Sequence, residues 1–498
     1  MQYDYKIHIS KNQRPIVAID QFTIAPKKIT FLFGESGIGK SLISKAIYGL
    51  IDPNLLDVSI NDETYPKYLA QKPTHSLQKN GFFVFQEPSS HLNPLARLKT
   101  QLNEGSIAIV DSEQEILQKL WDDNDAAAQK ILEVYPKPYR PSGGEKQRIL
   151  LAMAFKKISL LQKKKSLPDE HLFVFDEPSG SLDDHLRNLF LQLLFEKFAQ
   201  TRFNALFITH DYSIISEIYQ QHREMAKHCA FKELTLADEG LRMRDFAPGE
   251  YLDWLKAEKS GAFIRGKRAK IVLSLKSGYE VFGKKMAISH TGNGKSGDEL
   301  RIHAGKMVYV KAASGVGKTT LAKIIMGLQR CQHLRMTLCG QEFNDATPTL
   351  QWRRKVWGKT AGMVFQHADE ALNLQATVRE VFGGLPVARK LDDPAITKHL
   401  LTLFDIAIDD AFLSKKVALL SGGQKQRLNL LRTLALDTDL LILDEPLNGL
   451  DLESIQKVIG LLKKKLRNGA AILMISHNEE IIDSIVPPEN VYILRMSR

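Results

Sequence analysis

Two copies of one ordered set of motifs constrain this chain more than any other feature. The first copy comprises GESGIGKS (Gly34–Ser41), FQEP (Phe85–Pro88), SGGE (Ser142–Glu145), FVFDEP (Phe173–Pro178) and ITHD (Ile208–Asp211). The second comprises AASGVGKT (Ala312–Thr319), FQHA (Phe365–Ala368), LSGGQ (Leu420–Gln424), LILDEP (Leu441–Pro446) and ISHN (Ile475–Asn478). Matching motifs lie roughly 270–280 residues apart, far beyond the period of a solenoid repeat. The spacing predicts two duplicated domains.

Each copy opens with an apolar strand, a glycine-rich turn and a helix whose apolar residues recur at helical spacing. A phosphate-binding loop (P-loop) requires this context, because backbone N–H groups and the helix N-terminus then converge on the anion. The predicted fold is α/β: two tandem P-loop NTPase domains, each with a mainly parallel sheet core, an antiparallel β part and a helical subdomain. We place the domains at residues 1–250 and 269–498, and a linker at 251–268.

The two P-loops differ at one position. GESGIGKS fits G-x-x-x-x-G-K-[ST] fully, which predicts that Lys40 bridges the β- and γ-phosphates of ATP and that the Ser41 hydroxyl holds Mg²⁺. In the second loop Ala312 replaces the first glycine. A Cβ there is expected to strain the loop if the position needs a positive φ.

Acidic pairs end two strongly apolar runs. Asp176 and Asp444 are followed by Glu177 and Glu445. The aspartates suit Mg²⁺ coordination through water, and the glutamates are placed to act as general bases toward an attacking water. This chemistry indicates an ATPase with ATP and Mg²⁺ as cofactors.

The composition narrows the class of protein. The formal net charge of +11 favours acidic partners or serves solubility alone. Three cysteines without a C-x-x-C pair argue against a metal site or a disulfide framework. The N-terminus lacks the pattern of a signal peptide, and no stretch reaches the roughly 18 apolar residues of a membrane span. These features predict a protein that is not integral to the membrane.

With SGG signatures between the P-loop and the DEP motif, nearly the whole chain resembles ATP-binding cassette (ABC) ATPases. The resemblance implies that the two cassettes of one chain pair head to tail, each ATP lying between one P-loop and the opposite signature. It implies that Gln86 and Gln366 sense Mg²⁺ and the transport domain, and that His210 and His477 contact the γ-phosphate. Asp183 and Asp451 then belong to the D-loops. In such cassettes an aromatic residue before the P-loop usually stacks on adenine. Tyr279 or Phe282 is expected to do so in the second half. The first half has no aromatic residue at the comparable place, where Arg14 is the candidate instead.

The predicted site residues form three sets. The catalytic residues are Glu177, Glu445, His210 and His477. The metal ligands are Ser41, Gln86, Asp176, Thr319, Gln366 and Asp444. The nucleotide-binding residues are Gly34, Glu35, Ser36, Gly37, Ile38, Gly39, Lys40, Ser41, Gln86, Ser142, Gly143, Gly144, Ala312, Ala313, Ser314, Gly315, Val316, Gly317, Lys318, Thr319, Thr320, Gln366, Ser421, Gly422, Gly423 and Gln424.

Within the ABC family the chain is similar to the ATPase subunits of oligopeptide, dipeptide and nickel importers. Phe85–Pro94 is similar to their F-Q-[DE]-P-x-x-x-L-N-P, and Phe207–Asp211 to their F-I-T-H-D. This resemblance implies an importer subunit for peptide-like or related small solutes. Its partners would be two membrane permease subunits and, indirectly, a substrate-binding protein, with no nucleic acid. It would lie peripherally on the cytoplasmic face of the cell (inner) membrane.

Two other functions compete with import. A soluble twin-cassette ATPase acting on ribosomes or nucleic acid would suit the charge of +11, although the short joining segment and the cysteine pattern favour import. A binding module without hydrolysis is disfavoured by Glu177 and Glu445.

The two sites are also expected to differ in rate. Pro141 replaces the usual leucine of the first signature, and Glu145 adds a negative charge near the expected γ-phosphate. Head-to-tail pairing would combine this signature with the altered loop at Ala312, so the site built on Lys40 is predicted to hydrolyse ATP faster.

Overall fold

A computed structural model of the chain describes residues 3–103, 113–122, 124–134, 141–162, 170–180, 182, 184–237, 240–260, 270–290, 299–313, 315–387 and 391–497. Ser314, Asp183 and residues 261–268 of the predicted linker lie outside this set. The chain divides into two compact units, Met1–Glu250 and Tyr251–Arg498. Among the described residues, no helix is both long and apolar enough to span a bilayer.

The first unit has ten strands within the described residues: β1 (Tyr3–Lys11), β2 (Arg14–Ile24), β3 (Ile29–Gly34), β4 (Asp57–Ile60), β5 (Glu63–Thr64), β6 (Phe82–Val84), β7 (Phe173–Asp176), β8 (Ala205–Ile208), β9 (Cys229–Ala237) and β10 (Gly240–Asp245). Its helices are α1 (Lys40–Tyr48), α2 (Tyr65–Leu69), α3 (Lys72–Asn80), α4 (Leu98–Asn103), α5 (Glu113–Leu120), α6 (Asp125–Val134), α7 (Gly143–Gln162), α8 (Asp184–Gln200) and α9 (Ser213–Gln221). Helix α10 (Pro248–Ser260) begins at the end of this unit and continues into the next.

The second unit repeats this plan with strands β11 (Ile271–Lys276), β12 (Glu280–Val281), β13 (Lys284–His290), β14 (Glu299–His303), β15 (Met307–Lys311), β16 (Arg335–Leu338), β17 (Gln341–Asn344), β18 (Ala361–Val364), β19 (Leu440–Asp444), β20 (Ala471–Ile475) and β21 (Val491–Ser497). Its helices are α11 (Lys318–Ile325), α12 (Thr349–Lys355), α13 (Ala368–Ala371), α14 (Val378–Phe382), α15 (Asp393–Leu400), α16 (Asp410–Leu413), α17 (Gly422–Leu434), α18 (Leu452–Arg467) and α19 (Glu479–Ile485). Short 3₁₀ helices cover Pro88–Ser90, Arg223–His228, Val417–Leu419 and Pro488–Asn490.

Both units contain the same parallel sheet. The strand order is β9-β3-β8-β7-β6 in the first unit and β21-β15-β20-β19-β18 in the second, and all neighbours in these series are parallel. The central strands β3, β7 and β8 are buried along their whole length, as expected for strands covered on both faces. A four-stranded antiparallel sheet accompanies each parallel one, in the orders β2-β1-β4-β5 and β14-β11-β16-β17.

Helices fill the stretch between the Q motif and the DEP motif in each unit, namely α4–α7 and α13–α17. These stretches are the predicted helical subdomains. The predicted α/β fold class with two P-loop NTPase domains is confirmed.

Candidate active site

The predicted catalytic motifs lie at the carboxyl edge of each parallel sheet. In the first unit Gly34 and Asp176 end β3 and β7, and His210 follows β8 by two residues. Because β3, β8 and β7 are neighbours, these residues come together although they lie far apart in the sequence. The carboxyl edge is where open α/β sheets bind their ligands.

The first P-loop depends on three glycines in conformations that other residues rarely adopt. Gly34, Gly37 and Gly39 have φ of 143°, 80° and 115°, and Gly39 is the N-cap of α1. Lys40 is only 5% exposed, and its Nζ donates to the carbonyl oxygens of Gly34 (2.6 Å) and Glu35 (2.9 Å). The ammonium group is therefore held against the turn of the loop.

Gly34 also has no space for a side chain, because a Cβ there would lie 2.4 Å from the carbonyl oxygen of Leu234. We expect Gly34→Ala to destabilise the first unit by about 1–3 kcal/mol and to weaken ATP binding there. Urea unfolding and ATP binding measure both effects. The matched control is Ala312→Gly, which should change stability by less than about 1 kcal/mol. Equal losses in the two variants would contradict the assigned backbone constraint.

The second P-loop differs from the first at the position of the first glycine. Strand β15 ends at Lys311, before the turn, whereas β3 continues through Gly34. Ala312 is not among the described non-glycine residues with positive φ, so the strain expected at this position does not arise. Gly315 and Gly317 keep positive φ of 77° and 109°, and Lys318 Nζ donates to the carbonyl oxygen of Ala312 at 2.8 Å.

Oxygen donors suited to Mg²⁺ lie beside each P-loop. The Ser41 hydroxyl donates to Asp176 Oδ1 at 2.8 Å, and burial raises the pKa of Asp176 to about 6. Both carboxylate oxygens of Asp444 are buried, and the Thr319 hydroxyl, which matches that of Ser41, is the hydrogen-bonding group beside them. Burial raises the pKa of Asp444 as well. A divalent cation would compensate the desolvation of these carboxylates, so the residues present fit the ion.

Glu177 is the centre of a buried charged group in the first unit. Its Oε2 lies 2.8 Å from His210 Nδ1 and its Oε1 lies 3.8 Å from Lys40 Nζ. Burial alone would raise the pKa of Glu177, but His210 and Lys40 outweigh it and lower the pKa below the ordinary value. Burial likewise opposes the charge on His210, but Glu177 raises the pKa of this imidazole. Glu177 is therefore ionised at neutral pH, and its two oxygens lie beside His210 and Lys40.

Glu445 has a different environment. Its Oε2 accepts hydrogen bonds from the backbone N–H of His477 (2.9 Å) and the hydroxyl of Ser476 (3.3 Å). Its Oε1 lies 3.5 Å from His477 Nε2, and the His477 side chain is 53% exposed. Burial raises the pKa of Glu445 to about 7 despite these hydrogen bonds. The two glutamates at matched positions thus differ in their readiness to accept a proton at neutral pH.

The signature motifs begin the helices α7 and α17. Ser421 and Gln424 form a capping box, with Ser421 N–H donating to Gln424 Oε1 (3.1 Å) and Gln424 N–H to Ser421 Oγ (3.2 Å). Glu145 has the same role, because its Oε2 accepts from the backbone N–H (2.8 Å) and the hydroxyl (3.0 Å) of Ser142. The carboxylate of Glu145 therefore caps its own helix. The S-x-x-E pattern was the sequence signal for this cap.

The other predicted residues lie next to the ends of strands and helices. Gln86 and Gln366 follow the ends of β6 and β18 by two residues. Asp451 is the N-cap of α18 and accepts from Ser454 N–H at 2.8 Å. Of the two stacking candidates in the second unit, Tyr279 is 1% exposed and its ring is enclosed in the core. Phe282 is 76% exposed and presents its ring to solvent.

The family model described as ABC transporter matches residues 18–178 and 296–448. The chain belongs to the ABC transporter family. Each matched stretch contains one P-loop, one signature and one Asp-Glu pair, so the two units are two ABC cassettes. Cassettes of this family bind and hydrolyse ATP, and the chain is an ATPase.

Relatives of this ABC protein include chains that align with both of its cassettes. The chain is 27% identical to the peptidoglycan transport ATP-binding protein YejF of Agrobacterium fabrum, over 94% of this chain and 86% of that protein. It is 34% identical to the nickel import ATP-binding protein NikE of Escherichia coli O6:K15:H31, over 37% of this chain and 69% of that protein. A solved structure of RNase-L inhibitor has a TM-score of 0.60 at 16% identity, over 94% of this chain and 86% of that one. The last likeness concerns the fold alone.

Proposed function

We propose that this ABC ATPase energises a membrane importer for peptide-like or related small solutes. Its partners are two permease subunits and, indirectly, a substrate-binding protein, and it lies on the cytoplasmic face of the cell membrane. The main support for this proposal is the similarity to YejF, a protein named for transport. The similarity extends over both cassettes of this chain. The likeness to the nickel import protein NikE gives further support.

In this proposal each cassette uses one set of residues for catalysis. Mg²⁺ bound with ATP neutralises phosphate charge, and Ser41 with Asp176, or Thr319 with Asp444, would hold it together with Gln86 or Gln366. Glu177 and Glu445 take the proton of the attacking water, while His210 and His477 contact the γ-phosphate. The buried carboxylates and the distance of 2.8 Å between Glu177 and His210 support these roles.

The segment after Gln86 is the proposed contact with a permease. It contains the 3₁₀ helix Pro88–Ser90 and then Leu95, whose side chain is 85% exposed. An apolar side chain this exposed at the border of a functional loop suits a contact that becomes buried in a complex.

A soluble twin-cassette ATPase that acts on ribosomes or nucleic acid is the second candidate. The net charge of +11 favours it, since cationic surfaces bind polyanions.

Affinity purification of the full chain from detergent-solubilised membranes tests the proposal. We expect two polytopic membrane proteins to copurify with the chain. Leu95→Glu should reduce their recovery, because it places a charge in the contact. The control Leu55→Glu changes a leucine that is 68% exposed elsewhere in the cassette and should leave recovery unchanged. Cosedimentation with ribosomes and no recovery with membranes would overturn the proposal in favour of the second candidate.

A further inference from the structure

In the second cassette, polar side chains connect the P-loop strand to the helix that follows His477. The Tyr309 hydroxyl on β15 donates to the carbonyl oxygen of Ser476 at 2.9 Å. Lys311 Nζ donates to Glu479 Oε2 (2.9 Å) and Asp483 Oδ2 (2.7 Å), both on α19. We call Tyr309, Lys311, Glu479 and Asp483 the switch clamp.

The switch clamp joins the strand that precedes the P-loop to the segment that follows His477. Lys311 is the last residue of β15 and is followed directly by Ala312 of the P-loop. Glu479 is the first residue of α19 and comes two residues after His477. Because Glu479 and Asp483 lie one helical turn apart, a single ammonium group fixes both the position and the direction of α19.

The first cassette makes the same connection with aromatic rings. By motif register, Phe33 matches Lys311 and Tyr212 matches Glu479. The rings of Phe33 and Tyr212 stack with centroids 4.7 Å apart and an interplanar angle of 14°. Phe31, which matches Tyr309, packs against Phe207 at 5.0 Å. Two chemically different contacts therefore occupy matched positions in the two cassettes.

We propose that Lys311 is a positioning residue for ATP hydrolysis in the second cassette, where it holds His477 at a fixed distance from the P-loop. This inference rests on the proposed contact of His477 with the γ-phosphate. Lys311 acts through the backbone of α19 and touches neither ATP nor the attacking water.

The ion pairs of the switch clamp are partly exposed to solvent, which makes their strength sensitive to salt. The side chains of Lys311, Glu479 and Asp483 are 25%, 44% and 44% exposed, so dissolved ions reach them and screen their attraction. The stacked rings of the first cassette are uncharged, and the carboxylate that accepts from the Tyr212 hydroxyl, Glu233, is only 2% exposed. Positioning should therefore depend more strongly on salt in the second cassette than in the first.

The hydrolysis rate of each cassette is measured separately in single-turnover experiments, with protein in excess over ATP and one glutamate replaced at a time. The Glu177→Gln chain reports the second cassette and the Glu445→Gln chain reports the first. The hydrolysis rate and the protein concentration that gives half of its maximum are measured from about 0.1 to about 1 M salt. Over this range the Debye length falls from about 10 to about 3 Å. Three changes are made in the Glu177→Gln chain: Lys311→Met, Lys311→Arg, and the pair Lys311→Phe with Glu479→Tyr that copies the first cassette.

We expect Lys311→Met to lower the hydrolysis rate about fivefold relative to the Glu177→Gln chain, while the protein concentration for half-saturation changes less than about twofold. Lys311→Arg should restore most of the rate. The Phe/Tyr pair should restore the rate and remove its dependence on salt. An unchanged rate in Lys311→Met would overturn the inference, as would equal salt dependence in both cassettes.

A further variant separates the inference from the role on which it rests. If His477→Ala leaves hydrolysis intact, the proposed role of His477 is wrong and the inference falls with it. If His477→Ala abolishes hydrolysis and Lys311→Met does not slow it, the inference alone is wrong. Where the Phe/Tyr pair does not fold, the comparison of Lys311→Met with Lys311→Arg decides.

Discussion

The double variant Glu177→Gln, Glu445→Gln is expected to hydrolyse ATP at least about a hundredfold more slowly than the parent chain. Both glutamates are buried at the carboxyl ends of β7 and β19, where a water attacking the γ-phosphate would need a proton acceptor. Glutamine keeps the size of the side chain and removes the basic carboxylate. Steady-state ATPase activity and retention of bound nucleotide are measured together.

Nucleotide retention is the internal control for this experiment, because neither substituted residue belongs to a P-loop. The double variant should bind ATP as tightly as the parent chain and release phosphate slowly. Turnover near the parent rate would show that neither glutamate is the general base.

Lys40→Ala is expected to lower the ATPase rate several-fold more than Lys318→Ala. The sequence analysis attributed a slower second site partly to Ala312 and Glu145, and the structure removes both of these reasons. Ala312 does not strain its loop, and the charge of Glu145 is used within its own helix cap. The asymmetry now rests on Pro141 in the first signature and on the ionised fraction of the glutamates at neutral pH. Glu177 is ionised, because His210 and Lys40 lower its pKa, whereas burial raises the pKa of Glu445 to about 7 and leaves it partly protonated. The lowered pKa also makes Glu177 the weaker base, which acts in the opposite direction.

The pH dependence of the remaining activity tests this reason. A general base works in its ionised form, so activity from Glu445 should rise as pH increases through 7. In Lys40→Ala, where the second cassette remains, we expect about a tenfold rise from about pH 6 to about pH 8. In Lys318→Ala, where Glu177 remains, the rate should change little over this range. An equal loss in both variants, or a larger loss in Lys318→Ala, would contradict the predicted asymmetry.

Local patterns predicted the buried strands that precede the two Asp-Glu pairs. The structure has both strands, β7 and β19, buried along their length and ending at Asp176 and Asp444. The structure adds the strand order: β3, β8 and β7 are neighbours, which brings Gly34, Asp176 and His210 together. Adjacent strands then bring together residues that are more than a hundred positions apart in the sequence.

Contacts between distant segments could not be predicted in this way. Lys311 and Glu479 are 168 positions apart, and neither belongs to a motif. The conformation at Ala312 depends on where β15 ends, which the loop sequence does not state. Tyr279 shows a further limit, since an aromatic residue near a P-loop can belong to the core as well as to a binding surface.

Glu177 and Glu445 have a backbone feature in common that bears on how such a chain can change over generations. Both have positive φ, 48° and 52°, in a region that a residue with a long side chain occupies at a cost of about 1–2 kcal/mol. Glycine or asparagine would adopt this conformation more easily, so Glu177→Asn and Glu445→Asn relieve strain. At these two positions, a substitution that makes the folded cassette more stable therefore removes the glutamate that ATP turnover is proposed to need. A duplicated cassette no longer selected for turnover would be expected to lose its glutamate early.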